Sequence, residues 1–233
     1  DEAYRFGSCT ACSVRERGEL YAEHISELAG VLAPLGIRPG IWGDMVLASP
    51  ESLKALSRET VVWDWKYMTG ADGPFDSTDF LLGKGFEVIL CSAARSSQDG
   101  PFTPNIRIHF PNIAGIARKV CGSRLLGHCV TDWSLRLNPI RAGLPLLELP
   151  RRVDENPDLS LRELEERVSN EYFGIPDGLE AARLISLCDN RVRIFSGIQW
   201  NGLKDSAFPP SGYLRHWIQE WVRTEEPFWS GRD

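Results

Sequence analysis

The sequence predicts an α/β fold, a parallel sheet covered by helices, followed by a helical extension. Short, nearly continuous apolar runs rich in β-branched and aromatic residues take turns with amphipathic stretches up to residue 133, which is the pattern of βα units. Beyond Pro139 these runs stop, and prolines separate charged stretches of helical periodicity. We therefore assign an α/β domain to residues 1–140 and a helical extension to residues 141–233.

The α/β domain contains four predicted strands, each an apolar run. A helix precedes the first strand, because apolar residues recur at helical spacing and Gly36 follows as a stop signal. Ser49 before Pro50 predicts the start of another helix, since serine is a good N-cap and proline is tolerated in the first turn. The predicted strands are residues 37–42, 60–65, 86–91 and 125–133. The helix before the first strand is predicted at residues 17–35, and a further helix is predicted at residues 112–120.

The extension is predicted to contain helices near residues 160–172, 178–188 and 210–223. Ser160 and Glu163 have the spacing of a capping box, in which two side chains and two backbone N–H groups satisfy each other at a helix start. A linker punctuated by prolines is expected to lead into these helices.

The charge distribution excludes some partners. The chain has 26 basic and 32 acidic residues among 233, without a basic run or a basic stripe interleaved with aromatic residues, so we expect no nucleic-acid partner. No apolar stretch approaches the roughly 18 residues that span a bilayer, so we expect no membrane partner.

Six cysteines are too dilute for a disulfide scaffold in a chain of this length. Cys91, Cys121 and Cys129 lie in apolar runs, where a buried, reduced thiol is typical, and this favours a reducing compartment and a cytoplasmic location. Cys9 and Cys12 have the spacing of metal ligands, but no second pair completes a zinc site. We favour a pair of loop thiols and expect neither a metal nor a cofactor.

Aromatic and charged residues recur at the C-terminal ends of the predicted strands, where the loops of parallel βα units converge. An indole ring suits stacking on the C–H face of a pyranose. One such tryptophan would more simply pack in the core, but three at equivalent positions predict a sugar site. The first two residues, Asp1 and Glu2, form an adjacent acidic pair. Such pairs are common on protein surfaces and do not by themselves indicate a function. The candidate site residues are Asp1, Glu2, Trp42, Asp44, Trp65, Trp133 and Arg136.

Taken in order, these stretches resemble the family 20 glycoside hydrolases, the β-N-acetylhexosaminidases, and most closely their cytosolic hexosaminidase D-like branch. The resemblance covers residues 1–136. No single motif is specific, but the order and spacing are. The motifs are Asp1-Glu2 followed by Gly7, Trp42-Gly43-Asp44-Met45, Trp65-Lys66-Tyr67 and Thr131-Asp132-Trp133-Ser134.

The resemblance implies a (β/α)8 TIM barrel in which the acidic pair ends the fourth strand. The chain would then be the C-terminal half of the barrel, lacking roughly the first three and a half strands. Such a half-barrel leaves unpaired strand edges, so we expect it to form a homodimer or to aggregate when it is expressed alone.

The resemblance also implies a retaining exo-β-N-acetylhexosaminidase that hydrolyses terminal β-linked GlcNAc or GalNAc. In this family the substrate's own 2-acetamido carbonyl attacks the anomeric carbon. Glu2 would be the general acid and base, and Asp1 would orient the acetamido N–H as the oxazolinium forms. The three candidate tryptophans would wall the sugar subsite. Asp44 would contact a sugar hydroxyl or, as an alternative, cap the following helix.

Two departures from the family pattern keep other functions open. The tyrosine that binds the acetamido carbonyl is replaced by Cys91-Ser92-Ala93-Ala94-Arg95, and a Trp-x-Glu motif reads Trp133-Ser134-Leu135. Arg136 would replace the missing acidic contact. The alternatives are a sugar-binding relative without activity and an inactive barrel fragment. Structural roles suffice for all four histidines.

Overall fold

The computed structural model describes residues 7–96, 99, 103–133 and 140–191. The elements in chain order are α1 (Arg17–Leu32), β1 (Gly40–Trp42), α2 (Gly43–Ala48), β2 (Val61–Trp65), α3 (Asp76–Gly83), β3 (Glu87–Arg95), α4 (Ile106–Val120), β4 (Gly127–Asp132), α5 (Leu144–Leu147), α6 (Leu149–Glu155), α7 (Leu161–Val168) and α8 (Gly178–Arg191). Short 3-10 helices cover Ala33–Leu35, Pro50–Lys54 and Ile140–Gly143, and a π-helical turn covers Ser169–Phe173.

The chain divides into two compact units. The first contains the described residues up to Ser92 together with Ala114–Val130, and the second contains Ala93–Ile113 and the described residues from Thr131 onward. The α/β class predicted from the sequence is confirmed, because a parallel sheet with covering helices forms the first unit. The predicted division at residue 140 stays a prediction.

The four described strands form one sheet in the sequential order β1-β2-β3-β4. Ile41 pairs with Val62, and Val62 pairs with Val88, in parallel register. Paired residues of neighbouring strands point to the same side of a sheet, so these three side chains share one face. That face packs against α1 to α4 in a single core. Its buried members are Ala22, Ile25, Ile41, Val46, Leu53, Leu56, Val62, Leu81, Phe86, Val88, Leu90, Ile116 and Leu125.

The opposite face of the sheet carries three indoles. Trp42 pairs with Trp63, and Trp65 lies two residues further along β2, so the alternation of a strand places all three on one side. We call Trp42, Trp63 and Trp65 the tryptophan face. Gly40 allows Trp63 to lie close against β1, because a Cβ at this position would be 2.8 Å from the indole Nε1.

Most predicted elements of the first unit are present, with different boundaries. The helix predicted at residues 17–35 is α1 with its 3-10 continuation, and Gly36 ends it in the left-handed conformation with φ of 67°. The helix predicted after Ser49 is a 3-10 helix, and the Ser49 side chain does not cap it. The prediction for α4 began too late, because Pro111 lies inside a helix that starts at Ile106.

The second unit contains the helical region. The stretch that was expected to be a linker forms α5 and α6 instead, because Pro145 and Pro150 occupy the first turns of these helices, where no N–H is needed. The capping box of Ser160 and Glu163 at the start of α7 is confirmed. Among the described residues of α5 to α8, the buried hydrophobic side chains include Leu146, Leu149, Val153, Leu164, Val168 and Leu179.

Among the helices that the structure describes, none combines the length and the apolar character needed to cross a membrane.

Candidate functional site

Some of the predicted site residues lie at the expected strand ends. Trp42 is the last residue of β1 and is half-buried, and Trp65 is the last residue of β2 with 42% of its surface exposed. These two indoles therefore lie at the same end of the sheet in the first unit. Asp1, Glu2 and Arg136 lie outside the described residues.

Trp133 directly follows β4 and belongs to the second unit. It is exposed, and its backbone N–H donates to the carbonyl of Arg95 at 3.3 Å. The strand-end position predicted for Trp133 is thus present.

Asp44 was expected in a loop but lies in the first turn of α2, where the helix dipole favours a carboxylate. The N-cap position of α2 is occupied by Trp42, and its side chain makes no capping hydrogen bond. Burial raises the pKa of Tyr21 to about 12, and the charge of Asp44 adds to this increase. Asp44 therefore lies near the packed interface of α1 and α2 as well as near the strand end.

Each indole of the tryptophan face contacts another aromatic ring. The rings of Trp42 and Trp63 meet edge to face, with centroids 5.8 Å apart and an interplanar angle of 66°. The rings of Trp65 and Tyr67 are stacked, with centroids 5.1 Å apart and an angle of 29°. Both geometries are favourable for aromatic pairs. The site thus offers a partly exposed aromatic platform.

A buried carboxylate fixes the same end of β2. Asp64 Oδ2 accepts hydrogen bonds from Ser77 Oγ at 2.8 Å and Thr78 Oγ1 at 2.6 Å, and Lys66 Nζ lies 3.1 Å from Asp64 Oδ1. Ser77 and Thr78 belong to the first turn of α3, whose N-terminus also favours negative charge. Asp64 therefore ties the end of β2 to α3 on the side away from the tryptophan face.

The sequence analysis did not single out this role of Asp64. The available signal was a carboxylate in the middle of the apolar run Val61-Val62-Trp63-Asp64-Trp65. A buried charge of this kind needs a partner. The hydroxyl partners, however, are 13 and 14 residues away in the sequence, so only the fold identifies them.

Two further polar pairs join β3 to β4 inside the first unit. Ser92 Oγ lies 2.7 Å from His128 Nε2, and the thiols of Cys91 and Cys129 are hydrogen-bonded. Burial raises the pKa of both thiols, which keeps them protonated and unreactive. Ser92 is fully buried, so this serine and histidine pair cannot attack a substrate and has a structural role.

The second unit contains a buried cluster around Asp99. Asp99 accepts hydrogen bonds from the backbone N–H groups of Ser96 at 3.1 Å and Asn105 at 3.2 Å, and His109 Nε2 lies 2.6 Å from its Oδ1. Arg95 Nε lies 3.5 Å from the other carboxylate oxygen. Because a carboxylate only accepts, His109 carries its proton on Nε2. Through Asp99 the cluster links Arg95 at the end of β3 to His109 of α4. It was not predicted from the sequence.

No group of three or more histidine, cysteine or carboxylate side chains is arranged to hold a metal ion within the described parts of the chain.

No protein-family model matches the chain, and no curated protein matches it.

We predict that Asp64→Ala lowers the free energy of unfolding by about 3 kcal/mol, because it leaves two hydroxyls and a partly buried ammonium without their acceptor. Urea denaturation would measure the loss. Asp79→Ala is a matched control, since Asp79 is an exposed residue of α3 that pairs with Lys119 at 3.5 Å, and it should cost no more than about 1 kcal/mol. Equal losses in the two variants would contradict this account of Asp64.

His128 makes the folded state sensitive to acid. Burial lowers the pKa of His128 from 6.5 to about 4. Between these two pH values this histidine is protonated in the unfolded state but not in the folded state. Stability is therefore lost as the pH falls from 6.5 towards 4, by about 3 kcal/mol for this residue.

We predict that His128→Gln loses about 3 kcal/mol less stability than the natural chain between about pH 7 and about pH 4. Urea denaturation at the two pH values would measure this difference. The control is His24→Gln, which removes an exposed histidine of α1. If His128→Gln and the natural chain lose the same stability, burial of His128 is not the cause.

Proposed function

We propose that the chain is the C-terminal half of a (β/α)8 barrel and belongs to a retaining exo-β-N-acetylhexosaminidase. The substrate would be a glycan or glycoconjugate with a terminal β-linked GlcNAc or GalNAc. The observation that carries the proposal is the tryptophan face, which gathers indoles at the C-terminal ends of neighbouring parallel strands.

The arrangement of the sheet supports a barrel over a doubly wound fold. The strands follow one another in sequential order, and the helices of the first unit pack on one face of the sheet. Doubly wound sheets reverse their strand order and carry helices on both faces, whereas barrel strands are sequential and keep their helices outside. The tryptophan face would then line the inside of the barrel.

The proposed sugar subsite uses the partly exposed Trp65 as its platform. Its ring is held by stacking on Tyr67, and the end of β2 is anchored by Asp64. A rigid indole can stack on the apolar face of a pyranose without losing further conformational freedom. Trp42, at the end of the neighbouring strand β1, would form an adjoining wall.

The chemistry would be carried by Asp1 and Glu2, as the resemblance implies. The acetamido carbonyl oxygen attacks the anomeric carbon while the glycosidic bond breaks, and Glu2 gives its proton to the leaving oxygen. Asp1 holds the acetamido N–H as positive charge develops on the oxazolinium. Water then attacks the anomeric carbon and gives a proton to Glu2, while the bond between that carbon and the acetamido oxygen breaks and the acetamido group is restored. Two inversions at the anomeric carbon retain the configuration of the sugar.

The second candidate is a sugar-binding relative without hydrolytic activity. It is favoured by Cys91-Ser92-Ala93-Ala94-Arg95, which form the second half of β3 and are all buried, so that no tyrosine is present there to hold the acetamido carbonyl. This candidate uses the same aromatic platform. The two candidate functions therefore predict a difference in hydrolytic turnover, but both predict weaker sugar binding when Trp65 is removed.

We predict that Trp65→Ala weakens the binding of GlcNAc about tenfold in the protein with a complete barrel, because it removes about 1.5 kcal/mol of stacking. Isothermal titration calorimetry would measure the Kd. Phe80→Ala is the matched control, since Phe80 is a similarly exposed aromatic residue on α3, away from the strand ends. Unchanged affinity in Trp65→Ala would exclude the proposed subsite for both candidate functions.

A further inference from the structure

Cys9 and Cys12 lie in a closed turn that precedes α1. The backbone N–H of Cys12 donates to the carbonyl of Cys9 at 3.0 Å, and the N–H of Ser13 donates to the same oxygen at 2.8 Å. A turn closed in this way brings its first and fourth Cα atoms within about 7 Å. A disulfide spans Cα atoms about 4.4–6.8 Å apart, so the backbone needs little movement to join the two residues.

The two thiols already contact each other. Cys9 and Cys12 share a side-chain hydrogen bond, and this bond lowers the pKa of Cys9 and raises that of Cys12. The backbone N–H of Cys12 also stabilises a negative charge on the Cys9 sulfur. Cys9 is exposed and Cys12 is half-buried. Cys9 is therefore the accessible thiol whose thiolate is favoured, and Cys12 is held beside it as a protonated partner.

Three of the other four cysteines differ from this pair. Cys91 and Cys129 also contact each other, but burial raises the pKa of both. Cys188 is exposed on α8 but sits in the helix as a single thiol. Exposure, a neighbouring thiol and a stabilised thiolate coincide at Cys9.

We propose that Cys9 and Cys12 form a redox-active dithiol that reacts with low-molecular-weight disulfides such as glutathione disulfide. The Cys9 thiolate attacks one sulfur of the small disulfide, so a mixed disulfide forms on Cys9 and one thiolate of the small molecule leaves. Cys12 then loses its proton to solvent, and its sulfur attacks Cys9. The second small thiolate leaves, and the protein keeps an internal disulfide.

This thiol–disulfide exchange needs no further oxidant or reductant. Two protein thiols are oxidised to one disulfide, and one small disulfide is reduced to two thiols. An excess of the small thiol reverses both steps. The proposal is independent of the sugar site, because it rests on the turn before α1 alone.

The test is exposure of the reduced full chain to glutathione disulfide, followed by acid quenching, digestion and mass spectrometry. The expected product is an internal disulfide between Cys9 and Cys12, with no glutathione retained on either residue. Cys12→Ser should trap glutathione on Cys9. Cys9→Ser should take up glutathione at Cys12 about tenfold more slowly, because the stabilised thiolate is gone.

Cys188→Ser is the matched control, since it removes an exposed cysteine of α8 that is not part of the Cys9–Cys12 turn. It should leave the reaction at Cys9 unchanged. The proposal is overturned if the natural chain carries glutathione on Cys9 and Cys12 without forming the internal disulfide. It is also overturned if Cys12 in Cys9→Ser reacts as fast as Cys9 in Cys12→Ser. The first measurement needs no substitution, so misfolding of a variant cannot hide the result.

Discussion

The parallel register of β1, β2 and β3 is the constraint on which the first unit depends. Because side chains alternate along a strand, pairing Ile41 with Val62 and Val62 with Val88 directs these residues into the helix-covered core. The same register directs Trp42, Trp63 and Trp65 to the other face. A slip by one residue would bury the indoles under the helices and expose the core residues. Core packing and the candidate sugar platform are therefore set by one pairing.

Asp64 links this register to the candidate site. It lies in β2 between two tryptophans, but its carboxylate points to the core side, where Ser77 and Thr78 of α3 donate to it. Burying a charge is costly unless hydrogen bonds compensate for the lost water. The compensating groups lie at the N-terminus of α3 and at Lys66. These polar contacts anchor the end of β2 on the side opposite the aromatic platform.

The sequence predicts those parts of the fold that depend on local patterns. The pattern of apolar residues predicted α1 and the four strands, and the spacing of Ser160 and Glu163 predicted the start of α7. Proline was misleading: Pro111 lies inside α4, and Pro145 begins a helix that was expected to be a linker. Proline excludes most conformations locally, but whether the helix continues past it depends on tertiary packing. Partners distant in the sequence, such as those of Asp64, could not be found from spacing.

The proposed function assigns the tryptophan face to an N-acetylhexosaminidase site. The most direct measurement is hydrolysis of chromogenic β-GlcNAc, β-GalNAc and β-glucose substrates by the polypeptide that carries the complete barrel, beside its Glu2→Gln variant. The account predicts turnover of the N-acetylated sugars only, and loss of most of that turnover in the variant, because the acetamido group is the nucleophile. Equal turnover of the β-glucoside, or unchanged activity of Glu2→Gln, would contradict it.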